Sequence, residues 1–148
     1  MARDAGAVAA TDVTGFGLAG HLAALLSDGT SGGFAARIVL AAIPALPGAL
    51  ELLARGERST FHEENARLRR AFSIHRELVG DPRLELLFDP QTAGGLLFAV
   101  PAAAAAGLLP RLAAAGFPAA AVVGEVTAPR TDGAIAEVVE VVSGDAPP

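Results

Sequence analysis

A short stretch near the start of the chain combines residue types that can hold a metal ion and a phosphate. Residues 11–22 read TDVTGFGLAGHL, so that Asp12 follows a short apolar run and stands close to two hydroxyl residues. Gly15 and Gly17 would let the backbone turn tightly and approach a ligand. The helix expected beyond them would begin with unpaired N–H groups that attract anions. Because carboxylate and phosphate repel each other, Asp12 would hold a phosphate through a bridging Mg²⁺.

The same residues allow a purely structural interpretation. Asp12 or Thr14 could cap the following helix, because both side chains accept hydrogen bonds from the N–H groups at a helix start. Spacing alone gives the metal-binding and capping interpretations equal weight. For His21, one position before Leu22 on the predicted helix, packing or capping is favoured over a ligand role.

Residues 87–97, LFDPQTAGGLL, form a second candidate loop. Asp89 precedes a proline and is therefore biased away from the helical conformation, and the two glycines allow close approach of the backbone. Gln91 and Thr92 could line a site or could satisfy backbone groups of the turn. The sequence supports these two roles equally.

The most polar segment of the chain is predicted to be mainly solvated. Thr60 and Glu63 have the spacing of a capping box at a helix start. Glu63 and Arg67 are four residues apart, as in pairs on an exposed helix face. Together with His62 and Glu64 beside them, these residues are interpreted as surface groups rather than catalytic ones.

Composition limits the classes of protein to which the chain can belong. Its 148 residues suit one domain with a sizeable core. A hydrophobic fraction of 52% against 18% charged residues argues against disorder. The net charge is -5, all 11 basic residues are arginines, and no basic cluster is interleaved with aromatic residues. Nucleic acid is therefore not expected as a partner.

Neither cysteine nor lysine occurs in the sequence. This excludes disulfides, zinc thiolate sites, thiol nucleophiles, Schiff-base chemistry and a Walker-type phosphate loop from these residues. His62 and His75 are far apart in sequence and lack a Glu-x-x-His companion, so no metal cage is predicted around them.

The apolar stretch 94–125 is long enough to be considered as a membrane span. Pro101, Pro110 and Pro118 interrupt it, and alanine supplies much of its apolar character. A strand, a helix and a strand are predicted there instead. Residues 1–7 lack the apolar core of a secretion signal, and a cytoplasmic location is expected.

Periodicity predicts strands that alternate with helices. Four leucines between positions 18 and 26 share one face of a helix over 17–28, which Gly29 would stop. The other predicted strands cover 7–11, 34–40, 119–126 and 134–142, and a further strand is entered at Leu96. The other predicted helices are a short one at 47–54 ending at Gly56 and one from Pro101 to Ala115 that Pro110 should kink or break. A loop is predicted at 29–33 and a turn at 129–133. Together they predict an α+β sandwich over residues 1–144 with a frayed tail at 145–148.

Three segments, in this order and spacing, resemble the C-terminal domain of selenophosphate synthetase (selenide, water dikinase). Residues 11–22 resemble the signature that opens that domain, and residues 44–49, PALPGA, resemble its Leu-Pro-Gly-Ala connection. Residues 87–97 resemble its DPQTSGGLL segment, with alanine in place of serine. Phe16 and His21 fit this family better than aminoimidazole ribonucleotide synthetase, thiamine-monophosphate kinase or the carbamoyl dehydratase of hydrogenase maturation.

The resemblance implies both a fold and a chemistry. The fold would be a PurM-like C-terminal domain, a mixed sheet with packed helices and partial likeness to a ferredoxin-like fold. The family makes selenophosphate, AMP and phosphate from ATP, selenide and water, with Mg²⁺ and often K⁺. Asp12 would bridge the metal ion, Thr11, Gly15 and Gly17 would contact the cofactor, and no catalytic residue is expected in this chain. Asn65 would match a family asparagine, although the residues before it depart from the family's glycine-rich pattern.

The resemblance also implies a partner. The family's cysteine or selenocysteine, its neighbouring lysine and its nucleotide site lie in a separate N-terminal domain that builds the dimer, and that domain would be absent here. The main hypothesis is a fragment or split subunit, inactive alone, that works with an N-terminal ATP-binding domain in cis or in trans. The alternative is a stand-alone, non-catalytic binding or regulatory module, or a truncated remnant of the superfamily.

Overall fold

The computed structural model describes residues 1–27, 34–128 and 139–144. The strands in these ranges are β1 (Ala9–Asp12), β2 (Ala35–Val39), β3 (Phe72–Ile74), β4 (Leu96–Ala99), β5 (Gly124–Thr127) and β6 (Val139–Val142). The α-helices are α1 (Gly17–Leu26), α2 (Ala49–Ala54), α3 (His62–Ala66), α4 (Pro82–Leu86) and α5 (Ala102–Ala114). Short 3-10 turns cover Arg3–Ala5, Leu40–Ala42, Arg67–Ala71 and Arg76–Leu78. Within the described ranges, no helix has both the length and the apolar character that crossing a bilayer requires.

The strands form two separate sheets. The larger one has the order β3-β6-β2-β5, in which β6 runs parallel to β3 and β2 while β5 runs antiparallel to β2. The smaller one is an antiparallel ribbon of β1 and β4, with Ala9 opposite Ala99 and Asp12 opposite Leu96. The mixed sheet with helices confirms the predicted α+β fold.

One face of the larger sheet and the helices enclose the core. Alternate residues of β2 and β6 point into it, because side chains along a strand alternate between the two faces. Leu18, Leu22 and Leu26 line the buried face of α1, as their spacing predicted, whereas the fourth leucine of that prediction, Leu25, is half-buried. Phe88 is fully buried and packs edge-on against Phe72, so the second candidate loop begins inside the core.

Helix α5 runs from Ala102 to Ala114 without interruption, and the predicted break at Pro110 is wrong. Proline removes one hydrogen bond to the carbonyl four residues earlier, which here belongs to Ala106. Both residues are exposed, so water can hydrate that carbonyl. The alanine-rich sequence has a high intrinsic helix propensity and continues the helix across the proline.

The start of α3 also differs from its prediction. Phe61 is the residue at the N-cap, and no side chain caps the helix, so the predicted capping box of Thr60 and Glu63 is wrong. Arg67 pairs with Glu64 at 2.8 Å rather than with Glu63. The helix has five residues and passes directly into a 3-10 turn, in which residues three apart are closest.

The remaining predicted elements are confirmed where the structure describes them, except for the first part of one strand. Strands β1, β2 and β4 and helices α1 and α2 lie at the predicted places, and Gly56 follows α2 with a φ of 86°. The predicted strand 119–126 is wrong over residues 119–123, because β5 begins only at Gly124. The predicted stop at Gly29, the loop 29–33, the turn 129–133, the strand residues 134–138 and the tail 145–148 lie outside the described residues.

Candidate functional site

Asp12 is exposed at the end of strand β1. On the ribbon it shares one face with Ala10 and with the residues opposite them, Leu96 and Phe98. Val8, whose N–H donates to the Ala99 carbonyl, extends the same face. The Asp12 carboxylate therefore stands at the end of an exposed, otherwise apolar strip.

The two candidate loops of the sequence lie against each other. The Val13 N–H donates to the Gly95 carbonyl at 2.9 Å, and the Gln91 N–H donates to the Thr14 carbonyl at 3.1 Å. The Ala19 N–H at the start of α1 donates to the Leu87 carbonyl at 2.8 Å. Gln91 thus uses its backbone to join the loops. Residues 11–22 and 87–97 form one structural unit, which we call the double loop.

Gly17 has a specific steric role in the double loop. Its φ is 67°, in the left-handed region, and a Cβ atom there would lie 2.9 Å from the Leu87 carbonyl oxygen and 3.0 Å from that of Asp89. The close approach that glycine permits is therefore made to the chain's own backbone. Gly15, by contrast, is exposed and has open space around it.

The start of helix α1 is partly occupied by protein carbonyls. The N–H of Gly17 donates to the Thr14 carbonyl, and that of Ala19 donates to the Leu87 carbonyl. For these two groups, the prediction of unpaired N–H groups available to an anion is wrong. Phe16 is the N-cap residue, with no side-chain capping bond. The interpretation of Asp12 or Thr14 as the cap of α1 is therefore also wrong.

His21, in the first turns of α1, holds the loop that precedes the helix through hydrogen bonds to Thr14. Its Nε2 accepts a hydrogen bond from the Thr14 N–H at 3.0 Å and lies 3.0 Å from Thr14 Oγ1. Because Nε2 accepts, the ring hydrogen of a neutral imidazole is on Nδ1, which lies 3.4 Å from Thr11 Oγ1. The ring also contacts Phe16, with centroids 5.7 Å apart. These contacts agree with the packing role that the sequence favoured.

Asn65 bridges the two halves of the double loop. It is 7% exposed, and its amide nitrogen donates to the Gly15 carbonyl at 2.9 Å and to the Phe88 carbonyl at 3.1 Å. Sequence reasoning placed Asn65 only by resemblance and did not foresee this contact. The sequence held no clear signal for it, because α3 is a short, mostly polar helix without an apolar period.

His62 is buried, so its interpretation as a solvated residue is wrong. It is 2% exposed, and its Nε2 lies 2.9 Å from Glu85 Oε2. Arg69 donates to both oxygens of the same carboxylate at 2.9 and 3.0 Å. Glu63 and Glu64 are exposed, as expected. His62, Arg69 and Glu85, with Arg58 at 3.6 Å from Glu85, form what we call the charged cluster.

The pKa values of the two carboxylates near this cluster are shifted in opposite directions. Burial raises the pKa of Glu85, but the hydrogen bonds from His62 and Arg69 and the charges of Arg69 and Arg58 outweigh it, so that the pKa is lowered. Burial raises the pKa of Asp89, and the opposing charges of His62 and Arg58 do not cancel that effect. Glu85 is therefore held ionised, whereas Asp89 takes up a proton more readily than an exposed aspartate.

Asp12 supplies one oxygen donor of the kind that Mg²⁺ prefers. In the ranges that the structure describes, no three His, Asp or Glu side chains are grouped closely enough to hold a metal ion. As a metal ligand, Asp12 would supply one carboxylate and would need further donors from beyond the described ranges. Thr11 is half-buried beside it, and Gly15 leaves open space nearby.

The mixed sheet with packed helices belongs to a known class of domain. The family model for AIR synthase related protein, C-terminal domain, matches residues 1–137, and the chain belongs to this family. The resemblance that the three sequence segments suggested is confirmed by similarity to proteins named selenide, water dikinase.

Two of these relatives illustrate the extent of the similarity. The protein from Pelobacter propionicus is 43% identical over 118 residues, which are 80% of this chain and 33% of the relative. The protein from Bordetella bronchiseptica is 44% identical over 117 residues, 76% of this chain and 30% of the relative. The chain thus spans about a third of the length of the curated relatives that it matches.

Proposed function

We propose that the chain acts as the C-terminal domain of an enzyme that makes selenophosphate, AMP and phosphate from ATP, selenide and water. In this role the double loop would help to close the site that holds the ATP phosphates and Mg²⁺. The observation that carries the proposal is the exposed Asp12 carboxylate at the end of an apolar strip, within the segment that resembles the family signature.

The apolar strip around Asp12 supports a site shared with a second unit. Val8 is 80% exposed and Leu96 is 75% exposed, and contiguous apolar surface of this kind commonly marks an interaction site. A domain that packed on the strip would bring its own ligands toward Asp12. The relatives' additional length is consistent with such a unit, and we propose an N-terminal ATP-binding domain, in cis or in trans, within a dimeric enzyme.

The residues of this chain would contribute position and charge. Mg²⁺, when bound, supplies neutralisation of phosphate charge during phosphoryl transfer. Asp12 would hold one side of that ion, and the double loop would fix where the carboxylate stands. With neither cysteine nor lysine in the chain, the groups that handle selenide would come from the other unit. The 148-residue chain is therefore expected to be inactive alone.

A hybrid enzyme tests the proposal. The part of the Pelobacter propionicus protein that precedes the matched segment is joined to this chain, and selenide-dependent AMP formation is measured. We expect turnover by the hybrid and none by the 148-residue chain. Asp12→Asn in the hybrid should lower turnover by at least about a hundredfold, as expected when a metal ligand in phosphoryl transfer is lost.

The matched control is Glu63→Gln, which removes an exposed carboxylate outside the double loop and should leave turnover unchanged. A folded hybrid that binds ATP but forms no AMP would contradict the proposed function. Equal turnover by the hybrid and its Asp12→Asn variant would contradict the role of Asp12. Selenide-dependent AMP formation by the chain alone would contradict its dependence on a second unit.

A further inference from the structure

Asn65 connects two loops that are distant in sequence and adjacent in space. Its side chain donates to the carbonyls of Gly15 and Phe88, which lie 50 and 23 positions away along the chain. We propose that Asn65 is a positioning residue, which sets the geometry of the double loop and thereby the place of the Asp12 carboxylate. The inference has a structural half, the geometry of the double loop, and a functional half, the place of the Asp12 carboxylate in turnover. The functional half rests on the function proposed above.

The geometry requires an amide rather than any polar side chain. Two carbonyl oxygens converge on one nitrogen, at 2.9 and 3.1 Å, and an amide NH₂ has two hydrogens to give. Asn65 is 7% exposed, so water has little access to replace these bonds. A hydroxyl could serve one carbonyl, and a carboxylate would repel both.

The charged cluster holds Asn65 in place. Helix α3 has only five residues, which is too short to be stable without tertiary contacts. His62, one turn before Asn65, is bonded to Glu85, which Arg69 also binds through two hydrogen bonds. The helix is thus fixed on both sides of Asn65, and the amide has a defined position when it meets the two carbonyls.

The effect of Asn65 can reach Asp12 through short connections. Gly15 is three residues from Asp12, and between them the Val13 N–H is bonded to Gly95 and the Thr14 carbonyl to the Gln91 N–H. Loss of the amide would leave the Gly15 and Phe88 carbonyls without their donor. The two loops would then separate more readily, and the end of β1 would lose its fixed position.

Hydrogen exchange of the 148-residue chain tests the structural half. Asn65→Asp keeps the side-chain shape but places an acceptor against two carbonyl oxygens, and Asn65→Ala removes the amide without adding charge. Both variants should speed the exchange of the Val13, Ala19 and Gln91 amides at least about tenfold. Amides that pair β2 with β6 should change less than about twofold. Glu63→Gln, on the same helix but exposed, is the control and should leave all of these rates unchanged.

Two exchange results would overturn the positioning role. One is unchanged exchange at the three double-loop amides in Asn65→Ala. The other is acceleration by the same factor at these amides and in the β2–β6 pair, which would make Asn65 a general stabilising residue. If Asn65→Asp does not fold, Asn65→Ala decides between the outcomes.

The hybrid enzyme tests the functional half. In Asn65→Ala, the Mg²⁺ concentration for half-maximal turnover should rise at least about fivefold, and turnover should recover at high Mg²⁺, because a misplaced ligand weakens metal binding. A residue that only stabilised the fold would lower the active fraction and leave the Mg²⁺ dependence unchanged, which would overturn the inference. If the unsubstituted hybrid is inactive, the proposed function fails, and the exchange experiment still decides whether Asn65 positions the loops.

Discussion

At the scale of single residues, the two glycines of the first loop differ in what they do. Both were predicted to allow close approach to a ligand, but only Gly17 has a positive φ and lacks room for a Cβ atom. Its neighbours are backbone carbonyls of Leu87 and Asp89, which cannot move as a side-chain end can. Gly17 therefore serves the packing of the double loop, and Gly15 is the glycine that leaves space on the exposed side.

This difference predicts unequal costs for the same substitution. Gly17→Ala should lower the free energy of unfolding by at least about 2 kcal/mol, since strained backbone and steric overlap add. Gly15→Ala, at an exposed position without a positive φ, should change it by less than about 0.5 kcal/mol. Urea denaturation of both variants measures the difference. Equal losses would contradict the assignment of the steric role to Gly17.

At the scale of elements, Glu85 links three pieces of the chain. It belongs to α4, while His62 belongs to α3 and Arg69 to the 3-10 turn that follows. Hydrogen bonds and nearby positive charges hold its pKa below the ordinary value of 4.5, despite burial that raises it. A carboxylate with a lowered pKa stabilises the fold above its unfolded pKa, and this contribution is lost as the pH falls through the lower, folded pKa. Asp89 has the opposite effect on stability: because its pKa is raised, its contribution is lost as the pH rises through the folded pKa.

Glu85→Gln should therefore weaken the fold at pH 7 and have a smaller effect at acidic pH. The variant keeps the size of the side chain but loses the charge that Arg69, Arg58 and His62 surround. Urea denaturation of the native chain and the variant from pH 7 to below 4.5 should show their free energies of unfolding converging. Glu57→Gln, at an exposed position, is the control and should give a constant, small difference. A Glu85→Gln difference that did not change with pH would show that its charge does not stabilise the cluster.

How far the sequence predicts the structure depends on the length of each element. Helix α1 repeats its leucines over several turns, and its position follows from periodicity. Helix α3 has only five residues, four of them polar, so no period reveals that His62 and Asn65 face inward. Their partners, Glu85, Gly15 and Phe88, are set by tertiary packing. The motif residues were therefore predictable, and the contacts that join the motifs were not.

At the scale of the whole molecule, strongly exposed apolar residues lie both on the ribbon face and elsewhere on the surface. Val8 and Leu96 lie on the same ribbon face as Asp12 and are 80% and 75% exposed. Val79 is comparably exposed, at 71%, but follows the 3-10 turn Arg76–Leu78 and lies outside the ribbon. The proposed function requires that the ribbon face, rather than exposed apolar residues in general, meet a second unit.

The ribbon face should therefore control the association behaviour of the chain. The 148-residue chain is expected to self-associate or to bind a hydrophobic dye, and the double variant Val8→Thr with Leu96→Thr should do so less, because threonine keeps strand propensity while reducing apolar surface. Val79→Thr, the matched control, should behave as the native chain does. Light scattering and dye fluorescence provide the readouts. Adding the preceding part of the Pelobacter propionicus relative should suppress dye binding by the native chain, since that part would cover the strip. A native chain that is monomeric, binds no dye and ignores this addition would favour the stand-alone module over a domain that works with a second unit.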